Sequence, residues 1–263
     1  MKFLILGDIF GRPGRDTVKK LLPDLRKTHA IDFCIANAEN MSHGKGFTKR
    51  TVDEMRSSGV DFFTSGNHVW KQEKELPNLD DMNFPLLRPA NYPGNPPGRG
   101  FQVIEKNGVK ILVINVLGQI FMHDDVDNPF HCVDRILRET ADQKVNITLI
   151  DLHAEATSEK AALAQYLDGR ISTLWGTHTH VATKDARILP KGTGFISDVG
   201  FTGPINSIIG LEPPGIIHRF LTGMPAIHEV ASGPTVLNAL VLSIDESSGV
   251  CVNIDHVQHS LSA

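Results

Sequence analysis

Along this chain short apolar runs alternate with polar breaks, and many of the runs end on a side chain that can hold a ligand. Residues 3–7 are apolar and end on Asp8, the pattern of a buried strand and its exit. Gly11-Arg12-Pro13-Gly14 reads as a turn in which Pro13 suits a first helical turn. Val18, Leu21, Leu22 and Leu25 then recur at helical spacing, with Pro23 inside the pattern predicting a kink or a restart. Residues 31–36 predict a second strand that runs into Asn37-Ala38-Glu39-Asn40. A loop with Gly44 and Gly46 leads to a helix over residues 48–57. Residues 60–64 predict a third strand, closed by Ser65-Gly66-Asn67-His68. Such a series implies parallel strands joined by right-handed crossovers.

The middle of the chain has weaker periodicity. Residues 93–98 are a Pro/Gly turn region, and residues 101–105 and 109–116 flank Lys106-Asn107-Gly108 as a hairpin. A helix is expected over residues 130–138 and a strand over 147–152 that ends in His153. Ser158 is positioned to cap a helix that runs to Leu167. Residues 171–175 form the next strand, followed by Gly176-Thr177-His178-Thr179-His180. Two further hairpin-like pairs, 186–189 with 193–197 and 236–244 with 250–257, complete the pattern. The expectation is an α/β protein with a two-sheet β-sandwich core flanked by helices, in α/β/β/α layers, forming one domain over residues 1–263.

Composition narrows the class. Hydrophobic residues make up 41% and charged residues 21% of 263 residues, which is globular usage. A net charge of −4 offers no general field for nucleic acid, so any such grip must be local. Cys34, Cys132 and Cys251 are few and widely spaced, which favours a reducing compartment over a disulfide framework. The N-terminal apolar run is stopped by Asp8 and is too short for a signal peptide or a membrane span. The expectation is a soluble, cytoplasmic protein.

Histidine changes the picture, because 12 are present and several follow apolar runs directly. Successive strand exits carry Asp8, Glu39, Asn67-His68, His153 and His178-x-His180. Singly, each has an ordinary explanation: a helix cap, a turn residue, a histidine bonded to backbone. Together they are expected to meet, because parallel strands bring their C-terminal ends to one rim. Mixed imidazole and carboxylate donors suit Fe, Mn or Zn, and a carboxylate can bridge two such ions. Gly66 and Gly176 allow the backbone to approach closely.

These motifs resemble the calcineurin-like metallophosphoesterase superfamily. Its Gly-Asn-His block is matched by Gly66-Asn67-His68, its lone strand-end histidine by His153, and its late Gly-His-x-His block by Gly176 to His180 with one inserted residue. The opening Asp-x-His block is matched only by Asp8-Ile9-Phe10, and Glu39 stands where a bridging Asp is usual. Both departures, with the segments 7–14, 151–160 and 200–204, are similar to the YmdB-like bacterial cyclic-nucleotide phosphodiesterases.

The resemblance implies two transition-metal ions, Fe or Mn before Zn. One would be held by Asp8, Glu39 and His180, the other by Glu39, Asn67, His153 and His178. Phe10 cannot ligate, so Asn40, water or substrate would complete the first ion's shell. The implied reaction is hydrolysis of small cyclic nucleotides, 2′,3′- or 3′,5′-cyclic, by metal-activated hydroxide. His68 is the candidate general acid, with packing under Trp70 or phosphate positioning as its alternatives. Arg12 is a candidate phosphate contact or a solvated turn arginine, and Glu155 a candidate support for His153. His43, His123, His131, His218 and His228 are expected to be structural or rim residues. Competing functions are a broad phosphomonoesterase or protein phosphatase, and a regulatory RNA-associated protein. Expected partners are a small phosphodiester substrate and, at most, further copies of the chain, with no membrane.

Overall fold

The structure, a computed structural model, describes residues 1–262. The chain starts with β1 (Lys2–Ile9), α1 (Gly11–Thr28), β2 (Phe33–Asn37), α2 (Lys49–Ser57) and β3 (Phe62–Thr64). It continues through β4 (Phe101–Lys106), β5 (Val109–Leu117), α3 (Pro129–Glu139), β6 (Ile147–His153), α4 (Thr157–Leu167) and β7 (Thr173–Thr177). It ends with β8 (Arg187–Ile188), β9 (Gly194–Ile196), β10 (Phe201–Pro204), α5 (Pro213–Thr222), β11 (Thr235–Ile244) and β12 (Cys251–Leu261).

The strands form two six-stranded sheets, ordered β12-β11-β10-β1-β2-β3 and β4-β5-β6-β7-β9-β8. β1, β2 and β3 pair in parallel, as do β5, β6 and β7. Their side chains divide by face. Leu4, Leu6, Cys34 and Ala36 pack outward against Val18 and Leu22 of α1 and Val52 and Met55 of α2. Phe3, Ile5, Phe33 and Ile35 turn inward and meet Ile111, Val113, Ile147 and Leu149 of the second sheet. Ile114, Ile150 and Leu152 face Val133, Ile136, Leu163 and Leu167 of α3 and α4. Each buried side chain of this size is worth about 1.5–3 kcal/mol, so these three layers of contact fix the helix–sheet–sheet–helix order. Among the described residues no helix is long and apolar enough to cross a membrane.

Three local expectations are corrected. Pro23 neither kinks nor restarts α1, which is continuous from Gly11 to Thr28. Pro23 is on the exposed face, where water can serve the carbonyl that loses its amide partner. Ser158 does not cap α4. The capping position is Ala156, without a side-chain bond, and Ser158 lies inside the first turn. The rim is also not that of one parallel sheet, because the strand exits with chemistry come from both sheets and meet where the two abut.

Candidate metal centre

β1 delivers Asp8 through a bulge. The pairing of β1 with β2 shifts between Leu6 and Asp8, so Ile9 joins Leu4 and Leu6 on the helix-covered face. Asp8 is thereby turned toward the second sheet, with Oδ1 3.9 Å from His153 Nδ1 and 4.0 Å from His180 Nε2. Gly7 is required beside it, since a Cβ there would collide with the Gly200 carbonyl. Glu39 and Asn40 follow β2, Asn67 and His68 follow β3, His153 ends β6, and His178 and His180 follow β7. Gly66 lies so close to Glu39 and His153 that a Cβ would displace both side chains. His178 and His180 adopt φ of 102° and 63°, left-handed conformations rare for side-chain-bearing residues.

Hydrogen bonds assign which atom of each ring faces the centre. Thr177 Oγ1 donates to Asp151 Oδ1 at 2.7 Å and is 2.9 Å from His153 Nδ1. The single hydroxyl proton is used on Asp151, so His153 Nδ1–H donates to Thr177 and Nε2 points inward. There His153 Nε2 meets His178 Nδ1 at 3.0 Å and Glu39 Oε1 at 3.2 Å. One donor atom from each of these three residues lies within 4.8 Å of the others. Burial alone would lower His153, but the Glu39 and Asp8 carboxylates overturn it and push the ring up to about 9. Burial and the neighbouring His153 push His178 down to about 3. Burial would raise Glu39, yet His153 and His68 hold it well below the usual carboxylate range. The cluster therefore requires positive charge at its centre, which a proton or a metal ion can supply.

A second group adjoins it. His180 Nδ1 donates to the Ile209 carbonyl at 2.9 Å, and burial lowers the ring's pKa, so Nε2 presents a lone pair. That lone pair is 3.2 Å from Asn40 Oδ1, an acceptor whose orientation is set by Asn40 Nδ2 donating to the Gly44 carbonyl at 2.9 Å. Two acceptors this close call for a cation between them. Asp8 Oδ1 and Asn67 Oδ1 are buried with no hydrogen-bond partner among the described residues. Such orphaned oxygens are rare and costly, and they fit metal ligation. Imidazole, carboxylate and amide donors together suit a transition metal.

Beneath the donors lies a layer of supports that sequence reasoning missed. Asp151 accepts from Thr64, from Thr177 and from Asn37 Nδ2 at 3.2 Å, linking both sheets under His153. Lys160 is buried and donates to the Thr177 carbonyl at 3.0 Å and to Asp198 Oδ2 at 2.9 Å. Asp198 also accepts from Thr179 N at 3.1 Å and so clamps the turn between His178 and His180. The available signals were a carboxylate inside the apolar run of β6 and a lysine on the buried side of α4.

The remaining predicted residues divide. His68 lines a 280 Å³ cavity over the donors, together with Phe10, Lys45, His180 and Leu211. Its Nδ1 is 3.1 Å from Asn40 Nδ2 and 3.4 Å from Glu39 Oε1. Trp70 packs on Tyr92, with centroids 5.2 Å apart. The Phe10 ring fills the place beside His180, 5.5 Å away edge-on, and Gly44 and Gly210 leave room for it. Arg12 is not brought to this cavity: its side chain is 84% exposed and pairs with Asp16 at 3.5 Å. Glu155 faces His178 Nε2 at 3.3 Å, whereas Thr177 orients His153. His43 and His228 line the cavity rim.

The fold and this donor set define a metallophosphoesterase, a metal-dependent hydrolase of phosphoric esters. The chain belongs to the YmdB-like protein family, whose model matches residues 4–257. It is 44% identical over 257 residues to the 2′,3′-cyclic-nucleotide 2′-phosphodiesterase of Bacillus subtilis, covering 98% of this chain and 96% of that protein. A crystal structure of a phosphatase from Mycoplasma pneumoniae superposes with a TM-score of 0.94 at 33% identity, over 100% of this chain and 94% of that one. A 5′-nucleotidase structure from Staphylococcus aureus shares the fold, with a TM-score of 0.64 at 17% identity, over 97% of this chain and 53% of the other.

Proposed function

We propose that this protein hydrolyses 2′,3′-cyclic nucleotides at a dinuclear metal centre. Asp8, Glu39, Asn40 and His180 would hold one ion, and Glu39, Asn67, His153 and His178 the other, with Fe or Mn as the expected metals and Zn the alternative. The observation that carries the reading is the pair of orphaned buried oxygens, Asp8 Oδ1 and Asn67 Oδ1, beside the Glu39–His153–His178 cluster. When bound, such ions supply Lewis acidity and make hydroxide available near neutral pH.

The protein's own groups do the rest. His68 Nδ1 lies 3.4 Å from Glu39 Oε1 and 3.1 Å from Asn40 Nδ2, which leaves the Nε2–H of the imidazolium free to serve the cavity. His68 is thus placed to protonate the leaving alkoxide. Phe10, Ile209 and Leu211 give the cavity an apolar wall that excludes water and can hold a ribose or base. The 2′,3′-cyclic substrate class rests on the Bacillus relative's activity.

The test is a panel of 2′,3′- and 3′,5′-cyclic nucleotides with Mn- and Fe-loaded protein, run beside mono- and bis-nitrophenyl phosphate. Faster cleavage of the 2′,3′-cyclic compounds and of the bis ester is expected. Preference for the mono ester would overturn the reading in favour of a phosphomonoesterase. His68→Ala should retain its metals and lose about 10²–10⁴-fold in kcat. Unchanged turnover would remove His68 from the chemistry.

A further inference from the structure

The largest cavity described, 780 Å³, shares no lining residue with the cavity over the candidate metal centre. Its volume is in the range of small-molecule sites. Four arginines converge on it, Arg88, Arg99, Arg135 and Arg138, while Asp127 is the one carboxylate in its lining. In a chain with net charge −4 this is a local reversal of sign.

Arg135 is paired with a carboxylate, Glu139, whereas the other three have no carboxylate partner among the described residues. Arg88 is only 7% exposed, and its guanidinium donates to the carbonyls of Pro89 at 2.8 Å, Pro97 at 3.2 Å and Pro96 at 3.4 Å. None of these partners carries charge. Arg99 likewise donates to the carbonyls of Asp81, Met82 and Phe84 and to Gln102 Oε1. Arg138 has no carboxylate partner among the described residues, and Arg135 shares Glu139 at 3.0 Å at the exposed edge. A guanidinium stays charged when buried, and burial with Arg135 nearby pushes Arg88 below its ordinary value. A buried charge held only by neutral carbonyls is costly unless an anion completes it.

The rest of the lining indicates more than a bare anion. Tyr92 and Phe101 contribute aromatic side chains to the lining, the kind of wall an aromatic group packs against. Asn128 uses its carbonyl oxygen to cap α3, accepting from Phe130 N at 2.9 Å, which leaves its amide hydrogens for a ligand. His131 stands one turn further along the same helix wall.

We infer that this cavity is a second ligand site, which binds a nucleotide through its phosphate on Arg88, Arg135 and Arg138 and its base against Tyr92 and Phe101. This does not depend on the reaction proposed for the metal centre. Trp70 supplies a reporter, because it packs on Tyr92 whereas Trp175 is fully buried between the sheets.

ADP is the probe, titrated into the full-length metal-loaded protein by calorimetry and by Trp70 emission at low and high salt. Binding that persists in Asp8→Ala, weakens at least tenfold in the double variant Arg135→Gln/Arg138→Gln and falls with salt is expected. The double variant should fold and hydrolyse bis-nitrophenyl phosphate as the parent does. Adenosine alone should not bind. The proposal is overturned if ADP binding is unchanged in the double variant, or is lost in Asp8→Ala while the double variant retains it. It is equally overturned if inorganic phosphate binds as tightly as ADP, which would make the cavity an anion trap without a base site.

Discussion

Asp8 and Asp151 are both fully buried aspartates at the junction of the two sheets, and burial raises the carboxyl of each. Their surroundings are opposite. Asp151 accepts bonds from Thr64, Thr177 and Asn37, two strands of one sheet and one of the other. Asp8 Oδ1 accepts none, while His153 and His180 present nitrogens toward it. The layer of Asp151, Lys160 and Asp198 has its hydrogen bonds made within the protein, and the rim oxygens Asp8 Oδ1 and Asn67 Oδ1 do not. A satisfied buried polar layer orients its neighbours, whereas an unsatisfied one is completed by a ligand.

This contrast can be broken by substitution. The largest effect is expected for Asp8→Ala, which should lower metal content measured by elemental analysis and abolish turnover that added metal does not restore. Lys160→Met should come next. It leaves Asp198 buried without its cation and should cost about 3–5 kcal/mol in denaturant unfolding, with part recovered in Lys160→Met/Asp198→Asn. Asp151→Asn should weaken metal affinity about 10–100-fold, and here excess metal should restore turnover. If Asp151→Asn and Asp8→Ala behave alike, the distinction between support and ligand fails.

The smallest effect concerns Asp185, in the hairpin of the second sheet. Burial raises its carboxyl, but hydrogen bonds from Ser197 and Thr183 overturn this and hold it below the usual range. A depressed folded pKa stabilises above the unfolded value and the gain is lost as pH falls through the folded one. Asp185→Asn should therefore lower stability by about 1 kcal/mol at neutral pH, with the difference closing below about pH 4. A difference that is constant with pH would assign the effect to packing.

Strands with strong apolar runs were legible without coordinates, as were α1, α2 and α3, because period and turn residues are local signals. β10 and α5 were not. β10 is four residues with Gly203 and Pro204 in it, and α5 opens on Pro213-Pro214-Gly215 and leaves Phe220 and Leu221 exposed. Neither shows the alternation or the amphipathic period that local reading needs. The candidate donors were legible because they stand at strand exits. The bulge that turns Asp8 inward was not, since it is a register shift against β2 rather than a property of β1.

The candidate donors were therefore offered by the sequence itself: Asp8, Glu39, Asn67, His153, His178 and His180, with Phe10 where a ligand would be expected, are read directly along the chain. Their spatial relation was decided by tertiary structure alone. Thr177 chooses the inward nitrogen of His153, Ile209 that of His180, and Lys160 with Asp198 sets the turn between the last two histidines. Those partners lie 19 to 38 positions apart in the chain. Hydrogen-bond geometry between distant segments has no local period, so it becomes visible only when strands, helices and loops are assembled in space.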